Sequence, residues 1–283
     1  MVAIDVPIAM VSPTMIGNDV SRADRASAEG DVLSKVPQVT FAFWVVKILA
    51  TTLGETGGDA LSMTLKLGYA ESTLIFLALF LCTLFAQVKS GHYHPVFYWA
   101  VVVATTTVGT TTSDYFDRTL GLGYVKSSII LLCVVIALLA AWRYSTGAIR
   151  VDQITTRKDE VFYWVTILIS NTLGTALGDF VATTTGLGFE RGALVFAGLI
   201  ALVALAHSFT SLPDTVLFWA AYVLTRPLGA TLGDTLTKPP PEGGLGLGRI
   251  NSSLVIAAAM VVLIAVTSLR KRASNLDGPG GAT

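Results

Sequence analysis

One stretch of the chain decides its fold: residues 41–69 read FAFWVVKILATTLGETGGDALSMTLKLGY. A tryptophan follows an aromatic start, a glycine stands ten residues later, an aspartate fifteen later, and a Gly-aromatic pair begins twenty-four later. The same pattern returns at residues 96–124 and 161–189, and a fourth time from Trp219 onwards. Four copies in register predict an internal repeat that accounts for most of the chain.

A second apolar run follows the Gly-aromatic pair in every copy, so each copy predicts two helices near the roughly 20 residues that span a bilayer. In the fourth copy an insertion, Lys238-Pro-Pro-Pro-Glu242, precedes the matching Leu247-Gly248. The tryptophan spacings of 55, 65 and 55 predict that two copies form a half that was duplicated. We therefore expect an all-α polytopic membrane protein, with about eight transmembrane helices from four parallel two-helix repeats.

The repeats also predict how the rest of the chain is organised. Lys and Arg are more frequent at the termini and between repeats than inside them, which by the positive-inside rule predicts cytoplasmic termini and a multi-pass protein of the bacterial inner membrane. The aromatic start of each repeat then lies in the cytoplasmic interfacial belt. The expected segments are a partly disordered cytoplasmic N-terminal segment over 1–36, repeats over 37–90, 91–146, 160–210 and 211–270, a cytoplasmic linker over 147–159, and a disordered cytoplasmic tail over 271–283.

The composition supports a membrane location. Hydrophobic residues make up 53% and charged residues only 13%, and the mean hydropathy is +0.67. A soluble globular domain, a disordered chain and a disulfide-built domain are excluded on these values. Nineteen Lys+Arg balance nineteen Asp+Glu, so no overall field attracts nucleic acid. The expected partners are the lipid bilayer, a transported cation and the proton, and a homo-oligomer is compatible with the pattern.

Ionisable residues inside the predicted membrane segments carry the functional argument. With each tryptophan at the inner interface, its aspartate lies about 22 Å deeper along a straight helix. Buried ionisable groups in a membrane are costly, so they face a bundle interior or a cavity. The candidate ion-binding residues are Glu55, Asp59, Asp114, Asp179 and Asp234, of which Glu55 and Asp59 are the candidate metal ligands.

Two cations, Lys47 and Arg226, are the candidate counter-charges or gate. Lys47 is close enough to the interface for its side chain to extend towards water, and Arg226 is expected to compete with a bound cation for Asp234. An alternative stays open for the aspartates: they lie at the outer membrane interface, where each ends its helix as a polar residue, and not within the membrane. It is most open for Asp114, because Arg118 follows it closely.

Two further sets of residues lie on the first helix of each repeat. Polar side chains form a stripe on the same face of the helix as the acidic residues. Small residues four positions apart are typical of closely packed membrane helices. The glycine-rich stretch 54–58 and Pro227 leave open whether these helices are broken. The stripe comprises Thr52, Thr107, Thr110, Asn171, Thr172 and Thr175, and the packing glycines are Gly54, Gly58, Gly109, Gly174, Gly178, Gly229 and Gly233.

The chain resembles a bacterial family built from a repeated domain of unknown function, whose members are described as uncharacterised membrane-anchored proteins. The resemblance rests on four tandem two-helix copies, each with Trp, then Gly-x-x-x-Gly-Asp, then Leu-Gly-aromatic. The resemblance covers about residues 37–269 and implies the repeat fold and an inner-membrane location, but little about function. Ser113 in place of a glycine and the insertion in the fourth copy depart from an exact fourfold pattern.

The first functional hypothesis is a secondary transporter or exporter of a hard cation of the Mn, Mg or Ca class, coupled to protons and not an enzyme. Carboxylate and hydroxyl oxygens, without thiol or imidazole, select these ions over Zn or Cu. No cofactor is expected beyond a bound divalent cation. The alternatives are an intramembrane aspartyl-type protease, since Gly178-Asp179 and Gly233-Asp234 resemble a GxGD motif, a structural or regulatory membrane subunit without transport, and a carrier of a small polar solute.

Overall fold

The computed structural model describes residues 37, 39–90, 93–147, 149, 154 and 156–276, with side chains up to residue 270. This part of the chain forms eight long helices and contains no strand, which confirms the all-α prediction. The N-terminal segment predicted over 1–36 and the end of the predicted tail lie outside the described residues. The helices are α1 (Phe41–Asp59), α2 (Tyr69–Lys89), α3 (Pro95–Asp114), α4 (Tyr124–Thr146), α5 (Arg157–Asp179), α6 (Phe189–Phe209), α7 (Asp214–Thr237) and α8 (Arg249–Leu276).

The Gly-aromatic signature marks where the second helix of each repeat begins. The glycines before α2, α4, α6 and α8 all have φ between 74° and 83°, a conformation that favours glycine. The matching glycine in the fourth repeat is Gly248, so the inserted residues displace the signature without changing its role. In the first repeat the preceding turn also places a lysine, Lys66, at φ 58°.

The first helices are continuous, which answers the question about breaks. Helix α1 runs through the glycine-rich stretch 54–58, and α7 runs through Pro227. Directly after the aspartates that end α1, α3 and α5, a π-helical turn follows, at Ala60–Thr64, Tyr115–Thr119 and Phe180–Thr184. Such wider turns are frequent at functional sites. Helix α7 instead stays α-helical to Thr237.

The eight helices form two concentric layers. Helices α1, α3, α5 and α7 make an inner ring in which each contacts the next, and α7 closes the ring onto α1. The second helices lie outside, with α2 on α3, α4 on α5, α6 on α7 and α8 on α1. Each second helix therefore packs mainly on the first helix of the following repeat, so no repeat is a self-contained hairpin.

Glycines allow the inner helices to approach each other closely. In each repeat the glycine that stands ten residues after the tryptophan lies against the next inner helix of the ring. Its neighbour on that helix is the residue seven positions after that repeat's tryptophan, and a Cβ added to the glycine would overlap this neighbour. The same contact at all four interfaces requires the four first helices to run in the same direction. The pairs are Gly54 with Thr106, Gly109 with Asn171, Gly174 with Arg226, and Gly229 with Thr51.

The outer layer is apolar towards its surroundings. Five helices in the described part are long and apolar enough to cross a membrane, namely the four outer helices and α5. The apolar spans of the outer helices are only 17 to 22% buried within the protein. Large side chains such as Leu74, Ile129, Leu194 and Val255 therefore point outward. A water-exposed surface of this kind would be unusual for a soluble monomer.

Aromatic side chains link the inner helices at the end where those helices begin. Phe43 contacts Trp99 across α1 and α3 and Phe218 across α1 and α7, with ring centroids 5.7 and 6.5 Å apart. The hydroxyls of Tyr98 and Tyr163 share a hydrogen bond of 2.8 Å between α3 and α5. Most of these aromatic residues pack against each other inside the bundle and close this end of the ring, and their location at a membrane interface stays a prediction. Among the tryptophans that mark the repeats, Trp99, Trp164 and Trp219 are buried, and the fully buried Trp142 at the end of α4 packs against Trp219.

Candidate functional site

The centre of the ring holds a buried ion pair. Arg226 on α7 has no exposed surface, and its Nη2 donates to Glu55 Oε2 on α1 at 3.0 Å. The same nitrogen donates to the hydroxyls of Thr110 on α3 and of Thr175 on α5, the latter at 2.7 Å. One guanidinium therefore joins all four inner helices. The carboxylate and the two hydroxyls offset part of the cost of burying these charges, while Arg226 Nε is buried without a hydrogen bond.

One turn further along, Arg118 bridges two of the repeat aspartates. Its Nε lies 3.0 Å from Asp114 Oδ1 in the same repeat, and its Nη2 lies 3.3 Å from Asp179 Oδ2 in the next. The N–H of the same Nε donates to the hydroxyl of Tyr124 at 3.2 Å, and Nη1 donates to the hydroxyl of Tyr69 at 3.3 Å. The π-helical turn that contains Arg118 lies at the end of α3, directly beside these carboxylates.

The other two aspartates are bridged by Lys238. Its Nζ lies 3.3 Å from Asp234 Oδ1 and 3.4 Å from Asp59 Oδ2, which joins α7 to α1. Arg249, at the start of α8, donates from Nε to the same Asp59 oxygen at 3.2 Å. Both aspartates are almost wholly buried, so these cations are the charges that balance them.

The insertion of the fourth repeat holds Lys238 in place. The backbone carbonyl of Lys238 accepts a hydrogen bond of 2.9 Å from Gly246 N, and Leu245 N donates to Thr235 O at 2.7 Å. Burial alone would lower the pKa of Lys238, but the neighbouring carboxylates of Asp234 and Asp59 outweigh it and raise that pKa above its usual value. The two carboxylates thus favour the ammonium form of Lys238.

These contacts bring the charged residues of the four repeats together at the end of the bundle opposite the aromatic contacts. Arg118 and Arg249 are partly exposed, with side-chain exposures of 29 and 21%, whereas the carboxylates beneath them are at most 5% exposed. The carboxylates are thus buried but close to the protein surface at this end of the bundle. We call the following residues the charge cluster: Glu55, Asp59, Asp114, Asp179, Asp234, Arg118, Arg226, Lys238 and Arg249.

Three carboxylates of the charge cluster have the spacing of a metal site. One oxygen each from Glu55, Asp59 and Asp234 lies within 4.8 Å of the other two, and all three residues are buried. Two oxygens that ligate one ion at 2.0 to 2.6 Å are at most about 4 to 5 Å apart, so the three carboxylates are near enough to share an ion. Of the two residues predicted as metal ligands, both are in this group, and Asp234 joins them.

The structure places the other candidate residues as follows. Asp114 is buried, so its position does not correspond to an exposed polar stop. Lys47 is fully buried, with Nζ 4.3 Å from the ring centroid of Tyr222, which contradicts the expectation that it reaches towards water. The expected competition of Arg226 for Asp234 is also wrong, since Arg226 pairs with Glu55 and Lys238 with Asp234.

Of the predicted polar stripe, Thr110 and Thr175 contact the central ion pair, as described above. The threonines eight residues after the first three tryptophans instead bond to their own helix: Thr52 Oγ1 donates to Ile48 O at 2.9 Å, and Thr107 and Thr172 bond in the same way. The residues seven after each tryptophan instead reach the neighbouring helix, as Thr106 does with Ala50 O. Asn171, which was predicted, lies in this layer and donates to Thr105 Oγ1 at 3.1 Å.

Three cations of the charge cluster were missed as site residues. Arg118, Lys238 and Arg249 follow the first helices, and the sequence places them in loops. The usable signal was the repeat itself, because Arg118 and Lys238 both stand nineteen residues after a tryptophan and four after an aspartate. A cation at that spacing on the same helical face meets its aspartate.

Fold and site define an eight-helix protein of four repeats, with a closed inner ring and a buried charge cluster at one end. The chain belongs to the family described as Repeat of Unknown Function (DUF347), which matches residues 42–93, 97–148, 162–212 and 217–273. These matches confirm the four tandem repeats that the sequence resemblance implied. Neither a curated protein nor a solved structure matches the chain significantly.

Proposed function

We propose that this chain is a multi-pass protein of the bacterial inner membrane in which all eight helices cross the bilayer and both termini are cytoplasmic. Support comes from the outward apolar surface of α2, α4, α6 and α8, which leaves lipid as the natural solvent. The more polar inner helices are shielded from lipid by this outer layer. The excess of Lys and Arg at the termini and between repeats supports the orientation.

Within the membrane, we propose secondary transport of a hard divalent cation of the Mn, Mg or Ca class. The observation that carries this proposal is the spacing of Glu55, Asp59 and Asp234, whose oxygens lie within 4.8 Å of one another. Hydroxyl groups beside them, such as that of Thr110, add oxygen donors of the same kind. An all-oxygen set favours hard cations over Zn or Cu.

The two ends of the ring support alternating access. At one end the charge cluster lies just beneath partly exposed arginines, whereas at the other end aromatic contacts join all four inner helices. With the proposed orientation, the site communicates with the outer side and is closed towards the cytoplasm. Movement of the repeats against each other would expose it to the other side.

Protons are the proposed coupling ion. A carboxylate that ligates a cation must be ionised, so protonation of the same oxygens releases the cation. Exchange of the two species at one site couples their movements without a separate energy source.

The protease hypothesis has less support from the geometry. An aspartyl dyad needs two carboxylates that share one proton. In both aspartate pairs of the charge cluster a cation lies between the carboxylates, Arg118 in one pair and Lys238 in the other. This arrangement favours binding over catalysis.

Reconstitution in liposomes tests the proposal. We expect Mn²⁺ uptake driven by a pH gradient in the wild type, and its loss in Asp234→Asn. Glu190→Gln, an acid-to-amide change at an exposed position on α6, is the matched control and should keep wild-type uptake. Absence of uptake for Mn²⁺, Mg²⁺ and Ca²⁺ in the wild type would refute the proposal.

A further inference from the structure

Arg118 and Lys238 occupy equivalent positions in the duplicated halves. Each stands nineteen residues after its tryptophan, and exactly 120 residues separate them, as they separate Trp99 from Trp219. Each bridges the aspartate of its own repeat and that of the next, Asp114 and Asp179 for Arg118, Asp234 and Asp59 for Lys238. The charge cluster thus consists of two related halves, each with one cation between two carboxylates.

The two halves differ in how firmly the bridging cation is held. Arg118 is fixed by two tyrosine hydroxyls in addition to its two carboxylates. A guanidinium offers several donors in a rigid plane, whereas an ammonium is a compact point charge on a flexible stem. The distances to the carboxylates are similar in the two halves, 3.0 and 3.3 Å for Arg118 and 3.3 and 3.4 Å for Lys238. The difference between the two cations therefore lies in the extra tyrosine partners and the additional donors of Arg118.

The halves also differ in the carboxylates they offer. Eleven residues after the first tryptophan stands Glu55, which lies next to Asp59 and Asp234, whereas the equivalent residue in the third repeat is Thr175. Only the half that contains Lys238 therefore combines three carboxylates. The half that contains Arg118 has two, and both are bridged.

We propose that Lys238 is a built-in occupant of the cation site, which leaves the carboxylates when a divalent cation binds, and that Arg118 keeps the equivalent half permanently closed. This inference rests on the proposed cation transport and names the residue that regulates the site. Glu55 and Asp59 keep Arg226 and Arg249 as partners in either state, whereas Lys238 supplies the cation beside Asp234 and between it and Asp59 whenever the transported ion is absent.

The charge balance of the cluster supports this role. The five carboxylates of the charge cluster face four cationic side chains, so replacing Lys238 by a divalent cation would balance the charge. Asp234 Oδ1 is also buried without a hydrogen bond, which leaves it able to ligate an ion. Asp114 Oδ1 is in the same state in the other half, so this feature is common to both halves and the bridging cation is what distinguishes them.

Equilibrium binding of Mn²⁺ to the purified full-length protein in detergent tests the inference. Removal of the competing charge in Lys238→Gln should tighten binding roughly tenfold or more. Lys238→Arg, which keeps the charge and adds donors, should weaken binding by a similar factor. Lys126→Gln, at an exposed position on α4, is the matched control and should bind as the wild type does.

The outcomes separate the inference from the function on which it rests. Equal affinities for Lys238→Gln, Lys238→Arg and the control, with binding that Asp59→Asn still abolishes, would overturn the role of Lys238 and leave the cation site standing. Absence of Mn²⁺ binding in all variants, including Lys238→Gln, would refute the site itself. Size-exclusion profiles show which variants are folded. If Lys238→Gln does not fold, the affinity of Lys238→Arg for Mn²⁺ tests the role of Lys238.

Discussion

Arg226 Nη2 lies 3.0 Å from Glu55 Oε2, although the two residues are 171 positions apart in the chain. The contact joins the fourth repeat to the first, and so closes the inner ring. Both side chains are buried. The stem of Arg226 packs directly against the backbone of Gly174 on α5, where a Cβ would overlap it. The pair occupies the centre of the ring between the aromatic contacts and the aspartates.

Breaking this pair should destabilise the fold strongly. In Glu55→Leu the guanidinium of Arg226 loses its carboxylate partner, and we expect a loss of about 3 to 5 kcal/mol in the free energy of unfolding. Arg226→Met should cost a similar amount because it strands Glu55. Unfolding in mixed detergent micelles measures both values.

The double variant provides the control for this prediction. Because neither charge is then buried alone, Glu55→Leu with Arg226→Met should be more stable than the sum of the single variants implies. Strict additivity of the two losses would contradict a direct coupling between these residues.

Two glycines on α1 should respond in opposite ways to alanine. Gly54→Ala places a methyl group against Thr106 and should destabilise the protein by about 1 to 3 kcal/mol. At Gly57 an added Cβ meets nothing within 4 Å, and alanine is the better helix former by about 1 kcal/mol, so Gly57→Ala should be neutral or stabilising. Thermal unfolding of the two variants side by side measures the difference, and equal losses would count against the close contact of α1 and α3.

The sequence was sufficient to predict the repeats and the convergence of the acids because both depend on fixed spacings. Asp59, Asp114, Asp179 and Asp234 stand at one position of a repeated helix, and a ring of parallel helices brings that position together. Periodicity was insufficient for the polar stripe. Threonine stands at both the seventh and eighth residues after the first two tryptophans, and only the neighbouring helix determines which one faces it.

The cations were harder to predict for a different reason. Lys238 reaches Asp59 from the end of α7 and Arg249 from the start of α8, and no spacing within one helix relates either cation to Asp59. The burial of Lys47 could not be predicted either, because its position along α1 does not reveal which neighbouring helices cover its side chain. Tyr222 on α7 lies over its ammonium group, and Lys47 is fully buried.

Cysteine labelling should reveal the two sides of the membrane. Tyr144 and Glu242 are exposed at opposite ends of the bundle and are suitable positions for single cysteines after replacement of Cys82 and Cys133. In intact cells a membrane-impermeant maleimide should label Glu242→Cys, and Tyr144→Cys only after the membrane is opened. The reverse pattern would invert the proposed orientation, and labelling of both in intact cells would contradict a protein that spans the membrane.

The aspartates should contribute unequally to cation binding. Asp59→Asn removes a proposed ligand and should weaken Mn²⁺ binding by about a hundredfold or more, since a charged oxygen ligand is lost. Asp179→Asn affects the half bridged by Arg118 and should change the affinity by less than about tenfold. Calorimetric titration of both variants measures this contrast, and equal effects would favour a site shared by all four repeats.

The central claim is that Glu55, Asp59 and Asp234 ligate one hard cation, and anomalous diffraction from crystals soaked with Mn²⁺ tests it most directly. We predict a single strong manganese peak within about 2.0 to 2.6 Å of oxygens from these three residues, with the Lys238 ammonium displaced from them. A peak outside the charge cluster, or the absence of a peak there with Lys238 still between Asp59 and Asp234, would contradict the claim.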